Sequence, residues 1–244
     1  VLIDCHVSYW RGKKALKAGD LNLEPEDVPE IFQLGNKELI DPAVIKRFTE
    51  VESKIKYALH RWTFRFPIGG ARFTPYSALP KIAERLKECE DEYWAIVDEF
   101  LTNFAQYRDA QLAKYPALAD KLEGEYPSDE HLRSRFRFSQ YVYTVQEVKP
   151  TSLAEVMAVG QGALKTAEDY QARYKEDLER FVGAVIGELR AQVAAMAKSV
   201  QEKLEKGENF TERNFGGIRN SIQQFRTLNF ANDAAVADEL TKLE

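Results

Sequence analysis

The chain has 244 residues, 44% of them hydrophobic, with 34 Lys and Arg against 39 Asp and Glu for a formal net charge of -5. A chain of this size buries a core without disulfide or metal staples, and its acidity argues against wholesale coating of nucleic acid while allowing local basic patches. Three His and two Cys leave too few soft ligands for a cysteine/histidine zinc module.

Cys5 and Cys89 stand far apart, which suggests free thiols in a reducing, cytoplasmic compartment. No apolar run reaches the roughly 20 residues that cross a bilayer, and no signal-peptide pattern is visible. The sequence opens at Val1 in mid-pattern, so further residues are expected upstream.

Val1 to Trp10 is rich in β-branched and aromatic residues and reads as a strand. A basic segment, Arg11 to Lys17, follows. Pro25, Pro29 and Gly35 then punctuate the chain, with a helical turn predicted near Val28 to Leu34. Asp41-Pro42 starts a helix: the carboxylate accepts from orphan N–H groups, and proline at the first position wastes none. Val44, Ile45, Phe48, Val51, Ile55, Ala58 and Leu59 recur at helical spacing and carry it to about His60.

Residues 61–76, RWTFRFPIGGARFTPY, hold three Arg, no acid and five aromatics. Trp62, Phe64 and Phe66 alternate with Thr63 and Arg65, and Gly69-Gly70 permits a tight turn, so a small hairpin or ordered loop is predicted. Ser77 is read as the cap of a helix to about Lys114. Ile82, Leu86, Cys89, Tyr93, Phe100, Phe104 and Tyr107 form its heptad-like stripe.

Pro116 interrupts, a short amphipathic piece ends at Leu122, and Ser128 opens another short helix. Arg137 to Val148 reads as a strand. The longest helix runs from about Pro150 to Gly207, with a break expected near Gly160 to Gly162, where glycine weakens a helix. Thr211 to Phe230 makes a further helix, with Ile218, Ile222, Phe225 and Leu228 on one face, and Asn232-Asp233 caps a last one.

The expected fold is mainly α: an elongated antiparallel bundle of long, coiled-coil-like helices with one or two short β-hairpin or strand insertions. Residues 1–76 would supply the N-terminal strand, helix and basic-aromatic loop, and 77–244 the long-helix bundle with a strand-like insert at about 133–149. The two parts are expected to form one continuous unit. The helical stripe from Leu178 to Leu204 outruns the 77–114 helix, so its surplus must be covered by the 211–230 helix or by another subunit.

Catalytic constellations are not visible. Cys5 and His6 are adjacent in a strand and point to opposite faces. His60 closes a helix, and His131 lies early in a short one. The acidic run from Glu88 to Glu92 fans around a helix axis, and the glycine pairs lack the Lys and Ser/Thr of a phosphate loop. No catalytic, metal or cofactor residue is assigned.

The candidate interaction surface comprises Arg61, Arg65, Arg72, Phe73 and Tyr76, with Arg133, Arg135 and Arg137 in the second β-capable segment. Exposed rings beside positive charge hold single-stranded nucleic acid by stacking and phosphate neutralisation. The competing reading is a bundle cap in which Trp62 and Phe64 are buried and the arginines snorkel or pair with acids.

Several short motifs resemble the bacterial and phage family DUF3150. They are Trp10-Arg11-Gly12-Lys13-Lys14 after a strand, Asp20-Leu21, and the run Leu34 to Pro42 (LGNKELIDP). A helix with Phe48 and Ala58-Leu59 follows, then Arg72-Phe73 near a Gly-Gly, and the tail Arg219 to Phe230. The resemblance implies a helical protein of phages or mobile elements, in operons with MoxR-type AAA ATPases and von Willebrand-type metal-binding proteins. It implies no catalytic residues. Very long helices with a short β-capable insert are also loosely similar in outline to α-helical pore-forming toxins, whose tongues are apolar, unlike residues 133–149.

The expected function is therefore a non-enzymatic structural or adaptor protein that forms a homo-oligomer or docks a protein partner, with a MoxR-type AAA ATPase implied by the resemblance alone. Nucleic-acid binding through the basic-aromatic loops is the alternative, and a membrane-interacting, pore-forming-like role is disfavoured.

Overall fold

The computed structural model describes residues 1–244 except 22, 25, 27, 30–33, 68–69, 145–152, 208–210 and 244, and the side chains of 153–171 and 213 also lie outside the description. The protein is mainly helical, 67% of it, far above the usual third. Two compact units divide the chain. One comprises residues 5–58 and 84–140, the other 1–4, 59–83 and 141–244.

Helix α1 (Pro42–Trp62), in the first unit as far as residue 58, starts as its sequence dictates, with Asp41 Oδ1 accepting from the Ala43 N–H at 2.9 Å. Helix α2 (Leu79–Lys114) runs antiparallel to it. Ion pairs fix that direction: Asp41 with Lys114 at 2.9 Å, Arg47 with Glu99 at 2.5 Å and Lys54 with Glu92 at 2.7 Å. All three are exposed and contribute little each; the apolar stripes between them supply the stabilisation.

Phe48, fully buried, is the centre. Its ring meets Tyr9, Tyr93, Phe100 and Phe136 at centroid distances of 5.0 to 6.0 Å. Ser128 caps the short helix α4 (Asp129–Ser134), as predicted, after α3 (Ala119–Glu123). Strand β1 (Leu2–Ser8) enters this unit and borders β6 (Arg137–Tyr143).

The basic segment after Trp10 carries an unpredicted element. β2 (Lys13–Ala15) pairs antiparallel with β3 (Asn36–Glu38), Lys13 opposite Glu38. Gly12, at φ +65°, turns the chain into it, and a Cβ there would lie 2.7 Å from Ile40 Cγ2. The pairing is anchored by Lys37, whose ammonium reaches Asp20 at 2.8 Å and Glu125 at 3.0 Å, and by Lys14, 2.6 Å from Glu125. The turn predicted near Val28 to Leu34 falls mostly outside the described residues.

This cluster has a pH signature. Lys37 chiefly holds Asp20 below its ordinary 3.8, and Lys14 then Lys37 hold Glu125 below its ordinary 4.5. A depressed carboxylate stabilises the fold above its unfolded pKa, and that contribution is lost as pH falls through the folded value. Lys37→Gln should therefore flatten the acid side of a melting-temperature profile below about pH 4.5 relative to wild type. Parallel acid limbs for the two proteins would contradict the assignment.

In the second unit, β4 (Phe64–Arg65) and β5 (Arg72–Phe73) form the predicted hairpin, with Phe64 opposite Phe73 and Arg65 opposite Arg72. The start of β1 joins β5, Leu2 opposite Phe73 and Ile3 opposite Arg72. Gly70 takes a φ of +75°; Gly69 is outside the described residues. Ser77 does not cap α2. Its hydroxyl donates instead to the Thr227 carbonyl at 2.7 Å.

Helix α5 (Leu153–Glu205) is continuous over 53 residues. The break expected near Gly160 to Gly162 is absent, because a glycine costs only about 1 kcal/mol inside a helix already nucleated on both sides. Helix α6 (Glu212–Leu228) is capped by Thr211 and α7 (Ala234–Lys242) by Asp233. Both pack on α5 and on each other. Phe181, Val185, Leu189 and Val193 of α5 are buried, as are Ile222, Phe225 and Leu228 of α6 and Val236 and Leu240 of α7. The strand predicted for Arg137 to Val148 is observed to Tyr143, and residues 145–148 are outside the description.

Candidate interaction surfaces

The basic-aromatic hairpin of the second unit is built ring-side inward. Trp62, Phe64 and Phe66 are buried, Phe66 meets Phe181 edge-on at 5.0 Å, and Phe73, half-buried, packs against Phe181 and Phe230. Tyr76 is 70% exposed. The burial that a cap requires is present, and of the rings in this segment Tyr76 is the one that faces solvent broadly.

The arginines differ from the cap expectation, because no carboxylate pairs with them among the described residues. Arg61 lies over the Trp62 ring and donates to Gln224 Oε1 at 2.9 Å. Arg72 donates to the Thr63 hydroxyl and, at 3.3 Å, to its carbonyl. Burial pushes the Arg72 guanidinium below its usual range, Glu188 opposes this, and Arg65 adds to it. Arg65 is exposed, with no hydrogen bond or ion pair among the described residues. Arg65 and Arg72 are thus like charges directly opposite across a strand pair, an arrangement that costs stability.

Beside Arg65 lies a cavity of about 490 Å³ whose described walls include Phe66, Pro67, Leu178 and Phe181. Tyr174 lines it too, and its hydroxyl is buried with no hydrogen-bond partner among the described residues. In the sequence Tyr174 was legible only as one member of the α5 stripe. Nothing local marked its hydroxyl as unpaired.

In the first unit, Arg133, Arg135 and Arg137 are all exposed at the end of α4 and the start of β6. Arg135 donates to His131 Nε2 at 3.2 Å through its Nε. None of the three has a carboxylate partner among the described residues. The two arginine groups belong to different units.

A third surface is apolar. Along α5 burial fades after Val193: Met196, Ala197 and Val200 are half-buried, and Leu204 is 62% exposed. These turns face Phe215, Ile218 and Ile222 of α6 across an open groove of about 930 Å³. Coverage by α6 was anticipated from the stripe; the share taken by α7 was not.

Cys5 and Cys89 are not joined in a disulfide, and burial pushes the Cys89 thiol up. Burial also pushes the Tyr9 phenol up to about 12, and its hydroxyl donates to Glu52 at 3.1 Å. Among the described residues no group of three His, Cys, Asp or Glu could hold a metal ion, and no helix is long and apolar enough to cross a membrane.

A mainly helical protein with short strands and surfaces of arginine and apolar residues is the class these observations define. The chain belongs to the family described as protein of unknown function (DUF3150), whose family model matches residues 1–240. No curated protein and no solved structure matches it.

Proposed function

We propose that the protein is a non-enzymatic structural or adaptor component that assembles copy on copy through its long helices. The groove at the end of α5 carries this reading. The α5 stripe continues at helical spacing through Val200 to Leu204, where α6 and α7 meet it only across an open groove. That spacing is what coiled-coil pairing uses. A two-fold contact places one patch against itself, and Arg219, Glu239 and Lys242 give this rim both signs of charge, so a second copy meets no uniform field of like charge.

Sedimentation velocity at tens of micromolar should show association, and Leu204→Lys should shift the protein to monomer with unchanged far-UV circular dichroism. A strict monomer for the wild-type chain rejects the reading. From the resemblance the reading also adopts a phage or mobile-element setting in the cytoplasm and a MoxR-type ATPase as the protein partner, to be sought by pull-down. The assembly proposal does not depend on that partner.

A second reading, single-stranded nucleic-acid binding, is favoured by the exposed Arg133, Arg135 and Arg137, which no carboxylate neutralises among the described residues. Each phosphate contacted steepens the salt dependence of affinity by about 0.7 logarithmic units on single strands. Titration with labelled single-stranded DNA at ~50 mM salt should then show binding that the triple alanine variant loses. Equal binding by that variant removes this reading.

A further inference from the structure

The cavity beside the hairpin is the least explained feature of the molecule, and it is independent of the α5–α6 groove. Its walls are mainly apolar: Phe66, Pro67, Leu178, Phe181 and Ala184. Its volume of about 490 Å³ falls within the range of small-ligand sites. Two polar groups on it are unspent among the described residues. The Tyr174 hydroxyl is buried without a partner among the described residues, although buried tyrosine hydroxyls usually find one. Arg65 carries a charge that nothing described neutralises, opposite a second arginine, Arg72. Asp177, the acid among the cavity's described lining residues, is already engaged by Arg180 at 2.9 Å, and Arg180 also reaches Glu176 at 2.9 Å. Among the described residues the local balance is therefore one unneutralised cation and one unpaired hydroxyl donor on an apolar wall.

We propose that this cavity binds an apolar carboxylate. Arg65 supplies the counter-ion, the Tyr174 hydroxyl donates a hydrogen bond, and the Phe66, Leu178 and Phe181 side chains take the hydrocarbon. An anion here also relieves the repulsion between Arg65 and Arg72. A neutral apolar ligand would fill the same volume but leave the charge uncompensated, so the carboxylate is the chemistry that the site selects.

Calorimetric titration of the full chain tests this with three probes: decanoate, decan-1-ol, and an acetylated Leu-Phe dipeptide with a free carboxylate. At least one carboxylate should bind saturably with one-to-one stoichiometry, and decan-1-ol at least about tenfold more weakly, since a charge-assisted hydrogen bond is lost. A preference for decanoate marks a free acid as the ligand, and a preference for the dipeptide marks a chain terminus. Arg65→Gln and Tyr174→Phe should each weaken binding by about fivefold or more without lowering the melting temperature, because neither changes the apolar wall. Three results overturn the proposal: no saturable binding of either carboxylate, equal affinity for the alcohol, or unchanged affinity in both variants.

Discussion

Phe48→Ala is expected to destabilise the first unit by about 3–5 kcal/mol, the range for removing a large aromatic from a packed core. Phe48 is fully buried, and four rings converge on it from the residue that follows β1, from α2 and from the segment leading into β6. Interiors relax only partly around such a void. Aromatic pairs also contribute about 0.5–1.5 kcal/mol each beyond the area they bury. Against a net stability on the order of 5–15 kcal/mol, the loss is a large fraction of the whole. Urea denaturation followed by circular dichroism measures it. Phe48→Leu, which keeps most of the volume, should lose distinctly less. A loss below about 1 kcal/mol for the alanine variant would mean that the cluster is not the core of this unit.

Trp62→Ala should show the second large effect, again about 3–5 kcal/mol. The ring is buried, Arg61 and Lys81 lie over it at 5.5 and 5.3 Å, and the Trp62 carbonyl accepts from the Thr74 hydroxyl at 3.0 Å. Truncation opens a cavity and strips both cations of the π-face that attracts them. Tyr76→Ala in the same segment should change stability by no more than about 0.5 kcal/mol, because its ring stands in solvent. The contrast is the test. If Trp62→Ala melts within about a degree of wild type, the ring is a docking element and the buried-cap description is wrong.

Much of the fold was legible because its signals are local. Asp41-Pro42, Ser128, Thr211 and Asp233 each stand where a side-chain oxygen satisfies the first N–H groups of a helix, and each does so. The three-and-four spacing of Phe48, Val51 and Ile55, and of Val185, Leu189 and Val193, marked the faces that are buried. The alternation of Phe64 and Phe66 marked the hairpin, although Trp62, read as part of the same alternation, closes α1 instead. Propensity, capping and periodicity act over one or two turns, so one stretch of sequence determines them.

Tertiary structure alone decided the rest. Lys13-Lys14-Ala15 has no strand character of its own; it pairs with β3 because Lys37, Asp20 and Glu125 meet there across many residues. Gly160 and Gly162 looked like a break, but a local penalty of that size does not outweigh the cooperativity of a 53-residue helix. The candidate surfaces divide in the same way. The arginines could be named from composition, whereas their lack of carboxylate partners and the unpaired Tyr174 hydroxyl among the described residues, and the opposition of Arg65 and Arg72, could not. Pairing, burial and the absence of a partner are properties of neighbours distant in the chain, and those neighbours are set only when the chain is folded.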